Sequence, residues 1–181
     1  MSTLTFPGAR PLLLGACALW LAGLSACATG PSGPSAVANL RPTQGNQVSG
    51  ELRFVQVGSQ VKVSGEVRGL KPNAEHGFHI HEKGDCSSGD GMSTGGHFNP
   101  TGAAHGQHGA GAHHSGDLPA LVANAQGVAR VDFDSRSLTL QDGPASIVGK
   151  GLIVHRDPDD YRTQPTGNSG PRVACAVIQK V

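Results

Sequence analysis

Five of the chain's nine histidines fall, together with an aspartate, in one stretch, "HFNPTGAAHGQHGAGAHHSGD", residues 97–117. Imidazoles and carboxylates are metal ligands, and His97, His105, His114 and Asp117 follow one another at spacings of 8, 9 and 3 residues. Three nitrogens and one oxygen suit a tetrahedral zinc site closed by protein ligands. Upstream, "GFHIH" places His79 and His81 at i and i+2, so on a strand both side chains point to one face, about 7 Å apart along the chain. With His155, which ends "GLIVH", they form a three-imidazole set suited to copper, since histidine binds both of its oxidation states. The alternative at this level is a solvated, histidine-rich loop that picks up metal casually.

These side chains must be positioned by something. Short, Val-rich segments in polar/apolar alternation, "ELRFVQVG", "QVKVSGEVRG", "GVARVDFDSRSLTL", "IVGKGLIVHR" and "RVACAVIQKV", read as strands. Turn signals at Pro72-Asn73 and Asp142-Gly143-Pro144 lie between them, and no helical period competes. The pattern predicts an all-β, antiparallel sandwich or barrel with an aliphatic core. Residues 82–117 stand apart: they show no strand or helix pattern and hold ten glycines. Ordering such a loop costs roughly 1–2 kcal/mol per residue in backbone entropy, which apolar burial cannot return here. A covalent tie at Cys86 and a metal clip through the histidines are the available anchors. A second loop, "DPDDYRTQPTGNSGP", follows His155, and both are expected at one end of the sandwich.

The N-terminus reads as a targeting segment. Arg10 precedes the apolar run "PLLLGACALWLAGL", which has signal-peptide length and is too short to span a bilayer comfortably. The run ends in Leu24-Ser25-Ala26-Cys27, similar to a bacterial lipobox, in which Cys27 would be lipidated after removal of residues 1–26; an ordinary signal peptide cut nearby is the alternative. Residues 27–36, rich in Gly, Pro and Ser, read as a flexible tether, and residues 37–181 as the folded domain. Removing Arg10 leaves 13 basic residues against 13 acidic ones, so no nucleic-acid partner is indicated. Cys17 and Cys27 fall in the targeting segment, which leaves Cys86 and Cys175 in an oxidising compartment, paired or as two separate buried thiols.

The segments "GFHIHEKGDC", "GGHFNP", "HHSGDLP", "VGKGLIVHRDPDD" and "GNSGPRVACAVI", in that order from about residue 47 to the C-terminus, resemble the copper/zinc superoxide dismutases in their exported bacterial form. The resemblance implies a Greek-key β-sandwich with two long functional loops, a cell-envelope or periplasmic location, and dismutation of superoxide to oxygen and hydrogen peroxide. It also implies copper on His79, His81, His97 and His155, and zinc on His97, His105, His114 and Asp117, with His97 bridging the ions and serving the chemistry as a proton store. Asp159 matches the carboxylate that hydrogen-bonds one copper histidine and one zinc histidine, here His79 and His105. Arg172 matches the active-site arginine that attracts and orients a small anion. Cys86 and Cys175 match the family disulfide.

The same likeness selects His114 over His113, because the ligand pair is written H-x-G-D. His108 and His113 are then expected to be solvent-facing spectators, and His76 a structural histidine. The second loop is shorter than in animal members and lacks their lysine and glutamate pattern, so steering would rest on Arg172, Arg162 and Lys83. No dimer surface is legible, and either a monomer or a homodimer fits. The rival function is a non-catalytic copper/zinc-binding envelope lipoprotein, which would need neither the bridging histidine nor Arg172.

Overall fold

Strict alternation of side chains builds the sheet. The structure, a computed structural model, describes residues 1–5 and 33–181; the proposed signal sequence, the lipobox and Cys27 lie outside the described residues. Strand β2 (Ser49–Val57) sends Leu52, Phe54 and Gln56 inward and Glu51 and Arg53 outward. It pairs on one side with β1 (Ser35–Pro42) and on the other with β3 (Gln60–Arg68), which in turn pairs with β7 (Ala129–Ser135). On the far side of β1 lie β9 (Arg172–Val177), β8 (Gly151–His155) and β5 (Phe78–His81), giving the order β5-β8-β9-β1-β2-β3-β7. Every pairing is antiparallel, and the short strand β10 (Gln179–Lys180) also pairs with β1. A separate two-stranded ladder joins β4 (Glu75–His76) to β6 (Leu121–Val122).

The chain therefore crosses from β3, near one end of this order, to β5 at the other, returns to β7 and crosses again to β8. The sheet curls around one apolar, mostly aliphatic core that includes Leu40, Leu52, Phe54, Val63, Phe78 and Ile80. No α-helix occurs among the described residues.

Three expectations change in detail. Strand pairing begins before the expected domain start at residue 37, since Ser35 and Ala36 already pair with Val55 and Phe54. The segments read as "GVARVDFDSRSLTL" and "IVGKGLIVHR" are strand only over Ala129–Ser135 and Gly151–His155. Between those strands the chain turns repeatedly, and Gly149 at φ 79° ends one such turn just before β8. The long loop also carries a single 3-10 turn, Met92–Thr94.

Strands β5 and β8 matter most for placing the histidines, because every residue in them is buried. Phe78 and Ile80 enter the core, so His79 and His81 must point to the opposite face. Opposite them stand Ile153 and Gly151 on β8, and the long loop covers this second face. A Cβ on Gly151 would meet the Lys83 carbonyl at 2.7 Å and the Thr94 side chain at 2.8 Å, so only glycine permits this approach. The Cys86–Cys175 disulfide, whose ends are 89 positions apart in sequence, ties the loop to β9.

Cross-linking a loop of that length stabilises the fold by roughly 4–5 kcal/mol on the chain-entropy account, and removal of native bridges costs about 2–5 kcal/mol. The Cys86→Ala/Cys175→Ala variant is therefore expected to lose about 2–5 kcal/mol of unfolding free energy, read from denaturant titration.

Candidate metal centre

The two ends of the long loop run beside β5 as if they were strands. The Phe98 N–H donates to the Ile80 carbonyl, and the Ile80 N–H donates to the Gly116 carbonyl, both at 2.8 Å. This register sets His97 opposite His81 and Asp117 opposite His79. His155 arrives from the end of β8, where a bulge after Val154 shifts the register. The remaining ligand candidates, His105 and His114, come from the interior of the loop. All seven side chains are buried.

They gather into two groups that share His97: His79, His81, His97 and His155, and His97, His105, His114 and Asp117. Each group offers one ligand atom per residue, all within 4.8 Å of one another. In the second group Asp117 Oδ1 lies 2.8 Å from His97 Nδ1, 3.1 Å from His105 Nδ1 and 3.3 Å from His114 Nδ1. His114 Nδ1 lies 3.4 Å from His97 Nδ1. A tetrahedron with bonds of about 2.0 Å has edges of roughly 3.3 Å, so these separations suit ligands around one zinc ion.

The opposite ring nitrogens are already engaged. His79 Nε2–H donates to Asp159 Oδ2 at 2.6 Å and His105 Nε2–H to Asp159 Oδ1 at 3.0 Å. His81 Nδ1–H donates to the Gly95 carbonyl at 2.9 Å, and His155 Nδ1–H to the Gly170 carbonyl at 3.0 Å. A carboxylate or carbonyl behind each ring fixes its tautomer and aims its other nitrogen, as metal-ligating histidines require. Those other nitrogens on His79 (Nδ1), His81 (Nε2), His155 (Nε2) and His97 (Nε2) are buried with no hydrogen-bond partner, while His105 Nδ1 faces Asp117 Oδ1. Buried polar atoms left in this state are rare and call for an explanation. Ligand atoms converging in two groups fit a pair of cations.

Electrostatics prepares the two groups differently. Burial, opposed only partly by Asp159, pushes His79 down to about 4. Burial followed by repulsion from His79 takes His155 to about 3, and burial followed by His97 holds His81 well below the ordinary range. These three rings are neutral at neutral pH, with lone pairs free for metal. On the other side burial also opposes charge on His105, but Asp117 and Asp159 outweigh it and lift this ring to about 9. Burial alone would raise both carboxylates; hydrogen bonds from His105 and His97 to Asp117, and from His105 and His79 to Asp159, instead hold them well below the usual range.

A mouth of about 200 Å³ opens over the first group, lined by His81, Met92, His97, His155, Thr166 and Arg172 among others. Arg172 is the charged lining residue. Its Nη1 donates to the Gly91 carbonyl at 2.6 Å and Thr94 Oγ1 at 2.8 Å, and its Nη2 to the Gly95 carbonyl at 2.6 Å. Arg162 and Lys83 are exposed and do not line this mouth; Arg162 lines a cleft beside His105 instead.

A family model described as copper/zinc superoxide dismutase matches residues 48–178. The chain belongs to the copper/zinc superoxide dismutase family. A copper/zinc superoxide dismutase of Paramecium bursaria Chlorella virus 1 is 42% identical over 137 residues, 72% of this chain and 72% of the relative. One from Aquifex aeolicus (strain VF5) is 38% identical over 146 residues, 78% of this chain and 85% of the relative. An extracellular copper/zinc superoxide dismutase of Brugia pahangi is 39% identical over 153 residues, covering 80% and 75%. The crystal structure of the clock protein EA4 matches with a TM-score of 0.73 at 39% identity, over 83% of this chain and 97% of that one. As a copper/zinc superoxide dismutase, the chain uses copper and zinc to dismutate superoxide.

Several supports of the centre have no signature in the sequence. The carbonyls of Gly95 and Gly170 orient His81 and His155, and any residue could supply them. Gln164 clamps the backbone of His105, accepting from its N–H at 2.9 Å and donating to its carbonyl at 3.0 Å. The Tyr161 N–H adds a 2.7 Å bond to Asp159 Oδ1. His76 does what was expected, donating from Nδ1 to the His155 carbonyl at 2.9 Å. His108 and His113 differ from expectation: the loop folds back on itself, so both rings are half-buried and face each other.

Gly167, at φ 68°, lies so close to the link between Asp159 and His105 that a Cβ would collide with both side chains. Gly102 has a nearly equal φ of 67° with open space around it. Gly167→Ala is expected to speed zinc release to a chromogenic chelator at least tenfold. Gly102→Ala should cost only the backbone penalty of about 1 kcal/mol.

Proposed function

We propose that this chain dismutates superoxide at a copper ion held by His79 Nδ1, His81 Nε2, His97 Nε2 and His155 Nε2, beside a zinc ion held by His97, His105, His114 and Asp117. The observation that carries the assignment is the meeting of buried ligand atoms in two groups that share one imidazole, with the four ring nitrogens of the first group unpartnered. When bound, copper supplies a one-electron couple that accepts an electron from one superoxide and returns it to a second, while zinc supplies a fixed positive charge. Two protons are consumed per peroxide formed.

The protein's own part is positional. Arg172, held rigidly by three acceptors at the mouth, draws a small anion in and orients it over the open side of the copper group. His97 faces the copper group through Nε2 and the zinc group through Nδ1, so Nε2, when it is not bound to copper, is the atom that would hold a proton and pass it toward the bound anion. Asp159 keeps His79 and His105 in register with each other. Tight packing of the loop on β5 and β8 limits the approach to the Arg172 side.

The location we infer is the bacterial cell envelope, with the chain anchored through a lipid on Cys27. The lipobox-like Leu24-Ser25-Ala26-Cys27, the preceding apolar run and a disulfide suited to an oxidising compartment support it. The metal-carrier alternative gives Arg172 no task at the mouth.

Loaded with copper and zinc, the full chain is expected to consume superoxide far faster than an equal concentration of free copper ion; an equal rate would overturn the reading. Arg172→Ala is expected to lower kcat/KM roughly tenfold or more at low salt, flatten its ionic-strength dependence and leave both metals bound. Copper loss in that variant, by metal analysis, would assign Arg172 a structural role instead.

A further inference from the structure

Six of the nine histidines belong to the two ligand groups, and His76 is buried against His155. His108 and His113 remain, and neither is a loose surface residue. Their rings lie with centroids 5.1 Å apart and planes inclined at 52°, and His108 also packs edge-on against Phe133 at 5.7 Å. Imidazoles within one ligand group show the same spacing: 5.1 Å for His81 and His97, and 5.5 Å at 55° for His105 and His114.

The tautomers are fixed as well. His108 Nδ1 lies 2.9 Å from the Asp117 carbonyl and His113 Nδ1 lies 2.7 Å from the His114 carbonyl. A carbonyl only accepts, so each Nδ1 carries the proton and each Nε2 the lone pair. His81 and His155 are prepared in the same way, by Gly95 and Gly170. Both rings line one cleft of about 340 Å³ together with Gln60, Asp134 and Ser137.

We propose that His108 and His113 form a third metal site, open to solvent, that binds a borderline divalent cation such as Zn2+ through their two Nε2 atoms, with water completing the shell. Arg136 lines the same cleft, and its charge makes this site weaker than the two inner ones. Its anchors are the carbonyls of His114 and Asp117, so it shares backbone with the zinc group while using none of that group's ligand atoms. The site needs no superoxide chemistry, and enzymatic activity is not its readout.

The test is calorimetric titration of Zn2+ into the full chain already holding one copper and one zinc. One further equivalent is expected. It should vanish in the His108→Asn/His113→Asn variant, where the amide keeps a donor toward each carbonyl and Nε2 is lost. Each single change should weaken the third equivalent at least tenfold. A chain that takes up no third equivalent, or a third equivalent that survives the double change, would overturn the proposal. A second measurement avoids variants altogether: Zn2+ should slow modification of His108 and His113 by diethyl pyrocarbonate at least tenfold, read by peptide mass, and unprotected rings would equally overturn it.

Discussion

A ring nitrogen buried without a hydrogen-bond partner costs roughly 1–3 kcal/mol, and this fold brings four of them together, on His79, His81, His97 and His155. Nothing in the protein satisfies them. Such a cluster is unstable on its own account, and it is the constraint on which the two long loops depend. The loop over β5 and β8 carries many glycines and little apolar surface, so its ordering entropy needs an external source of free energy. Metal binding provides that source, because the free energy of coordination becomes free energy of folding when the site exists only in the folded state. The disulfide contributes separately, by pinning the loop to β9 and narrowing the conformations open to it.

One carboxylate carries the coupling between the two groups. Asp159 accepts from His79 on β5 and from His105 in the long loop, and it belongs to the second loop itself. Three segments distant in sequence thus meet on two oxygen atoms. The hydrogen bonds that hold Asp159 well below the usual carboxylate range keep it ionised at every ordinary pH, so neither bond lapses through protonation. Gln164 reinforces the join by holding both backbone groups of His105, and Gly167 leaves the space in which the join is made. A disturbance in the second loop therefore reaches both groups, although that loop contributes no ligand atom.

The strands were legible wherever one face met the core and the other met solvent, as in β2 and β3, because alternation is then visible in residue type. Strands β5 and β8 were harder, since the loop buries their second face and alternation gives way to continuous burial. In "GFHIH" the two-residue spacing of the histidines still fixed which face they share. In "IVGKGLIVHR" and "SRSLTL" apolar residues lie beyond the strand, in turns, where they pack on the core without sheet pairing. The ligand candidates were legible because imidazole and carboxylate are few and their spacing is specific. Their supports were not: a backbone carbonyl such as that of Gly95 or Gly170 has no residue signature, and the half-burial of His108 and His113 results from the path of a glycine-rich loop.

The placement of ligands on different kinds of backbone matches the task of each proposed ion. His79, His81 and His155 stand on β5 and β8, where the antiparallel ladder holds their Cα positions, and rigid elements keep a site more precise than loops do. An ion that changes oxidation state gains most from ligands that cannot wander. His105, His114 and Asp117 stand on the loop, whose geometry depends on the ion it holds, and zinc suits that place because it has no redox chemistry and one dominant coordination geometry. His97 belongs to both, and its Nδ1 is oriented only from the zinc side. Emptying the zinc group would therefore leave the bridging ring held only by its hydrogen bond to Asp117 and loosen the copper group, whereas emptying the copper group leaves His97 still fixed by the loop. The dependence runs from loop to sheet, the reverse of the usual order in which a rigid sheet imposes geometry on its loops.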